Sequence, residues 1–129
     1  MNGKEDKLTE EEQEELLKEL VKIYRVGFIE IALDKENLEK ISTKVLINTL
    51  KQFRFQYSDL GELIKSICIC AISTRKESSI NQVLCDAMID DSVSNIRKEA
   101  KRILIVREGQ LNVVEMVKKR IIQKIKSLD

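Results

Sequence analysis

The chain has 129 residues, 43% of them apolar and 35% charged, with 23 basic against 22 acidic side chains and a net charge of +1. Such a length and composition fit one folded domain able to bury a core without disulfide or metal staples, and they exclude a disordered tail. With no His, no Pro, 4 Gly and 3 Cys, the commonest general base and zinc ligand are missing, helix breakers are scarce, and the near-neutral balance selects no partner class.

Residues 1 to 8 read as a flexible acidic N-terminus, unlike the basic-then-apolar start of a secretory signal, and residues 9 to 129 as a single all-helical domain. Thr9 and Glu12 stand at capping-box spacing, and Leu16, Leu17, Leu20, Val21, Tyr24, Phe28 and Ile31 follow on a helical stripe. This predicts a helix over 9–33 with one buried face and an interruption near Gly27, where "FIEIAL" leaves room for a short strand. The run from Val26 to Leu33 contains Glu30 and is too short to cross a bilayer, so no membrane insertion is expected.

Residues 36 to 53, with Leu38, Ile41, Val45, Leu46, Leu50 and Phe53, read as the next helix, and 58 to 73 opens with Asp59 and Glu62 as a second capping pair. With 9–33 counted as two helices about the break near Gly27, those over 36–53 and 58–73 are the third and fourth, Ser79 and Gln82 start the fifth, and Asp91 or Ser92 caps the sixth. Gly109 then separates it from an amphipathic last helix, from about Gln110 to Ser127. Seven helices in this length leave only short connections, which predicts antiparallel neighbours.

Within residues 80 to 104, Ile80, Val83, Leu84, Ala87 and Met88 form one stripe and Val93, Ile96, Ala100, Ile103 and Leu104 a second, with Asp90 and Asp91 at the turn between them. The pattern resembles a HEAT-type helical repeat, whose second helix opens with an acidic turn, an apolar-Arg pair and a small residue. Here these are Asp90 or Asp91, Ile96-Arg97 and Ala100. "STKVLINTLKQF" (42–53) lies over the first helix with Leu46 at Leu84 and Leu50 at Met88, an offset of 38. "ELIKSICICAI" (62–72) lies over the second with Ile64-Lys65 at Ile96-Arg97, Cys68 at Ala100 and Ile72 at Leu104, an offset of 32. The resemblance implies an all-α fold of antiparallel helical hairpins stacked as a short HEAT-like array, holding a protein or nucleic-acid partner along the stacked surface. It also implies that Arg97 ties the Asp90–Asp91 turn to a neighbouring hairpin. From the residues alone, an irregular helical bundle remains the alternative.

Cys68 and Cys70 would lie roughly 200° apart around a helix, unable to share a metal ion or close a disulfide, and neither a metal nor a cofactor is expected. In "LIKSICICAI" they read as core thiols of a central helix, and an odd number of cysteines suits a reducing cytoplasm. In that helix Leu60, Leu63, Ile64 and Ile67 mark the buried face. Ile69 falls on the side of Glu62, Ser66 and Ser73, and Ile105 falls beside Lys98 and Arg102, which makes both isoleucines candidate contact points.

Charge is segregated, with eight acidic and three basic side chains in residues 1 to 20 against ten basic and four acidic in 97 to 129. Lys98, Lys101, Arg102, Lys118, Lys119, Arg120, Lys124 and Lys126 are therefore candidate phosphate contacts, if they gather on one face, with Lys98, Arg102, Lys119 and Lys126 the leading ones. On the last helix, however, Lys119 and Lys126 take one flank of the Val114, Val117, Ile121, Ile125 stripe and Arg120 and Lys124 the other, as on a packed helix with solvated flanks. No nucleophile with a base, metal cluster or Gly-rich phosphate loop stands out. The sequence thus predicts a non-catalytic protein-interaction or assembly module, self-association included, with nucleic-acid binding through the basic C-terminal third as the alternative.

Overall fold

The structure, a computed structural model, describes residues 7–27 and 35–128. Thr9 Oγ1 accepts from the Glu12 backbone N–H at 3.1 Å while Glu12 Oε1 accepts from that of Thr9 at 3.0 Å, and this reciprocal cap starts α1 (Glu10–Gly27). There follow α2 (Lys35–Glu39), α3 (Thr43–Gln52), α4 (Asp59–Ile72), α5 (Ser79–Asp90), α6 (Ser94–Glu108) and α7 (Gln110–Lys126), so that the described residues are all-helical and contain no strand. The short strand considered at "FIEIAL", the continuation of the first helix past Gly27 and most of the acidic N-terminus lie outside the described residues.

The single helix expected over 36–53 is two. Ser42 breaks it: its Oγ accepts from the Val45 N–H at 3.2 Å to cap α3, and its own N–H donates to Gln13 Oε1 at 2.7 Å. Gln13 also donates to the Leu8 carbonyl at 3.0 Å, so one buried amide fastens the break to the start of α1. The cap of α4 is Ser58, accepting from Gly61 N–H at 3.0 Å, rather than Asp59. Ser78 precedes α5 without a side-chain cap bond. Asp91 closes the turn before α6 by accepting from the Val93 N–H at 2.9 Å, one residue short of capping the helix itself. Gly109 separates α6 from α7 as expected, at a φ of 86° that any side chain would strain.

Helix α3 packs on α4, α5 on α6, α4 on α6, α1 on both α3 and α4, and α7 on both α5 and α6. Asn81 at the start of α5 meets Arg107 and Glu108 at the end of α6, so those two helices run antiparallel. Asp86 and Asp90, one turn apart on α5, meet Arg120 and Lys124 in the same order, so α7 runs parallel to α5. Fully buried Leu46, Ile67, Ile72, Ile80, Leu84 and Leu104 lie in the single core between these layers.

The buried side of α4 differs from the one its apolar residues suggest. It runs through Gly61, Lys65, Cys68, Ile69 and Ile72 as well as the expected Ile67, whereas Leu60 is exposed and Leu63 and Ile64 are half-buried. The reason is Lys65, whose side chain is 0% exposed and meets the 2% exposed Asp91 with Nζ 2.8 Å from Oδ1. A lysine inside the core turns the helix so that Ile69, expected on an outward face, is also 0% exposed and belongs to the core.

Some positions 32 apart behave alike. Cys68 and Ala100, and likewise Ile72 and Leu104, are fully buried. Arg75, just past α4, donates to the Leu38 carbonyl at 3.0 Å and Thr43 Oγ1 at 3.1 Å, gripping the chain that enters α3. Arg107, near the end of α6, donates to the carbonyls of Ser73 at 2.9 Å and Arg75 at 2.6 Å and to Asn81 Oδ1 at 2.9 Å, gripping the chain that enters α5. Arg97 donates to the Asp91 carbonyl of its own turn rather than to another segment, while the link from that turn to α4 is made by Lys65.

Because Arg107 holds three acceptors and Arg97 one, Arg107→Ala is expected to cost on the order of 1–3 kcal/mol in urea titration and at least as much as Arg97→Ala. A smaller loss for Arg107→Ala would show that the grip on the α5 entrance contributes little.

Candidate interaction surface

The acidic turn between α5 and α6 positions α7. Asp90 Oδ1 accepts from Arg54 Nε at 2.7 Å and also from its Nη2, while Asp90 Oδ2 accepts from Lys124 Nζ at 2.7 Å. One turn earlier Asp86 receives Arg120 in a two-bond fork, at 2.6 and 3.0 Å. Burial works to raise the Asp90 carboxyl, but the hydrogen bonds from Arg54 and Lys124 outweigh it and hold its pKa below the ordinary carboxylate value.

These contacts fix which way α7 faces. Arg120 and Lys124 point inward at α5, Val113 is buried beside them, and Met116 and Val117 are half-buried on the core. The stripe expected to pack, Val114, Ile121 and Ile125, is therefore turned outward, and only Val117 keeps a partial seat. Leu111, Val114, Lys118, Ile121, Ile125 and, just past the helix, Leu128 follow one another at spacings of 3, 4, 3, 4 and 3 residues, which is the a/d rhythm of a coiled-coil seam. All six are exposed, Leu111 and Leu128 to 84%. Ile122 widens the row.

The two flanks of α7 thus have different roles. Arg120 and Lys124 are ion-paired to the body, and Lys119 and Lys126 stand in solvent on the other flank. On α6, Lys98 is exposed, and exposed Arg102 is paired with Glu99 one turn away, its Nε 3.2 Å from Oε2. Ile105 is half-buried and rests on the core. Lys98 and Arg102 therefore lie on a different helix from Lys119 and Lys126, and among all these positions the apolar row comes from α7 alone.

Two further surface features lie elsewhere. A groove of about 400 Å³ runs between α1, α3 and α4, lined by Leu17, Val21, Phe53, Leu60 and Ile64 with Lys18 and Lys22 among its polar residues. The connection between α3 and α4 exposes Phe55 and Tyr57, with the Arg54 guanidinium 5.3 Å from the Phe55 ring centre.

Among the described residues there is no grouping of three or more metal-ligating side chains, and no helix is long and apolar enough to cross a membrane. Cys68 and Cys85 are buried, whereas Cys70, expected in the core, is exposed at the rim of α4. Lys65 was the missed determinant in both cases, since moving the buried side of α4 onto Ile69 sends Cys70 outward. Its sequence signal is the match of Ile64-Lys65 to Ile96-Arg97. Comparison with protein-family models, with curated proteins and with solved structures returns no match.

Burial raises the Cys68 thiol to about 12 and, together with Asp86, raises that of Cys85 against the opposing pull of Arg120 and Lys124. A thiol reagent is expected to label Cys70 in the native protein and Cys68 and Cys85 only after unfolding, read by mass spectrometry of digested peptides. Native labelling of Cys68 at the unfolded rate would contradict the central placement of α4.

Proposed function

We propose that the chain is a non-catalytic protein-interaction or assembly module of the cytoplasm, a short HEAT-like stack of helical hairpins that holds a partner along α7. The observation that carries this reading is the bare apolar row of α7, because contiguous apolar surface left facing water marks a contact surface. The repeated grips of Arg75 and Arg107, 32 residues apart, and the matching burial of Cys68 and Ala100 favour a hairpin stack over an irregular bundle. Three free thiols suit a reducing compartment.

The nucleic-acid reading loses ground for an electrostatic reason. Arg102, Arg120 and Lys124 are each ion-paired to a carboxylate, and a cation held that way offers a phosphate less than a free one does. Lys98, Lys101, Lys119 and Lys126 remain, divided between two helices.

Fluorescence anisotropy at about 150 mM salt, where exposed charges are largely screened, is expected to find only weak binding to random duplex or single strands. The double variant Ile121→Asp, Ile125→Asp is expected to unfold within about 1 kcal/mol of the parent chain, since both side chains already face water. Submicromolar nucleic-acid affinity, or a variant that no longer folds, would overturn the reading.

A further inference from the structure

We propose that the α7 seam receives an amphipathic helix with acidic residues, supplied by a partner protein, which lies along α7 and sets a carboxylate opposite Lys118. The proposal rests on α7 being the interaction surface and adds the chemistry of what binds there.

The spacing of Leu111, Val114, Lys118, Ile121, Ile125 and Leu128 suits another helix rather than a loop or a flat surface, because a 3-4 alternation keeps a row in register with a second helix lying along it. The way α5 is treated points the same way. Laid over α5 at an offset of 33, α7 places Val113 at Ile80, Val117 at Leu84 and Ile121 at Met88. The first pair is buried in both helices. Leu84, however, is fully buried where Val117 is half-buried, and Met88 is half-buried where Ile121 is exposed. Helix α6 packs along α5, whereas the corresponding face of α7, buried at Val113, is covered progressively less toward Ile121 among the described residues.

Charge selects among helices. Lys118 sits inside the apolar row with its side chain 65% exposed, and its ion pair with Glu115 on the preceding turn, at 3.6 Å and without a hydrogen bond, holds it less firmly than Glu99, with two hydrogen bonds, holds Arg102. A lysine at one seam position costs stability against an apolar partner and discriminates in favour of one that brings a carboxylate. Exposed Lys119 and Lys126 extend the positive field around the same helix. A second copy fits poorly on both available surfaces. Two α7 seams together bring Lys118 against an apolar residue or another Lys118, with no acid in either row. Helix α1 carries the acids but buries Leu17, Leu20 and Val21 in its own core, and its described side chains expose no large apolar group.

The test uses the full chain and a fluorescent peptide of about three heptads with Leu at a and d and Glu at e, g and one central a position, alongside the same peptide with Lys at every Glu. The Glu peptide is expected to bind the parent chain at least about tenfold tighter than the Lys peptide. Lys118→Glu is expected to narrow or invert that preference, and Ile121→Asp to abolish binding of both while leaving the thermal melt unchanged. Equal binding of the two peptides, or indifference to Lys118→Glu while Ile121→Asp still abolishes binding, overturns the acidic partner and leaves α7 as a helix-docking surface. Indifference to Ile121→Asp, or no peptide binding at all, overturns the surface as well. Two other occupants are checked in parallel, and either result overturns the proposal: dimers in sedimentation that Ile121→Asp dissolves, or co-sedimentation of the parent chain with phosphatidylserine vesicles that Ile121→Asp prevents.

Discussion

A lysine and an aspartate share a place from which water is excluded, and the arrangement of the helices depends on how that charge is accommodated. Removing either ion from water costs several kcal/mol, and attraction between them offsets this only where the remaining donors and acceptors are also satisfied. Around Lys65 they are. Its Nζ lies 2.8 Å from Asp91 Oδ1 and within 3.3 to 3.4 Å of the Gln56 and Arg54 carbonyls and Ser92 Oγ. Ser92 joins the same turns a second time, its N–H and its Oγ both donating to the Arg54 carbonyl at 3.0 Å. Among the described residues no buried side-chain nitrogen or oxygen lacks a partner. Such a cluster contributes geometry more than net stability: an apolar pair of the same volume could fill the space, but it would not fix one turn against the other.

From that fixed point the placement of α7 follows. With the turn before α6 held against the turn before α4, Asp90 faces Arg54 on one side and Lys124 on the other, and Asp86 is left to hold Arg120. Two ion pairs on one flank of α7 turn that flank inward and bring the apolar row into solvent. The polar contacts thus decide the orientation, and the exposed seam is a consequence of it. A helix seated by the stripe of Val114, Val117, Ile121 and Ile125 alone would be turned by roughly a quarter of a rotation about its axis.

Much of the architecture was legible in the sequence, and the parts that were not share one cause. The reciprocal cap of Thr9 and Glu12, the separation at Gly109 and the buried pairs at an offset of 32 could be read because they depend on local chemistry and on period. The face of α4, the exposure of Cys70, the break at Ser42 and the direction of α7 could not, since each is set by a polar side chain reaching a distant residue: Lys65 to Asp91, Gln13 to Ser42, Arg120 to Asp86. Hydrophobic periodicity assigns charged residues to the surface by default, and here Lys65 and Asp91 are in the core and Arg120 and Lys124 anchor a helix. Arg97 shows the converse. The resemblance gave it a link from its own turn to another segment, and in the structure Lys65 of α4 makes such a link while Arg97 stays within its turn.

The most direct measurement is a double-mutant cycle on Lys65→Met and Asp91→Leu, followed by urea unfolding. If the pair fixes the two turns against each other, each single variant leaves a buried charge without its partner and loses about 3–5 kcal/mol, while the double variant, with neither charge, loses far less than the sum. Single losses that simply add, or that stay within about 0.5 kcal/mol of the parent as for a surface position, would contradict the account.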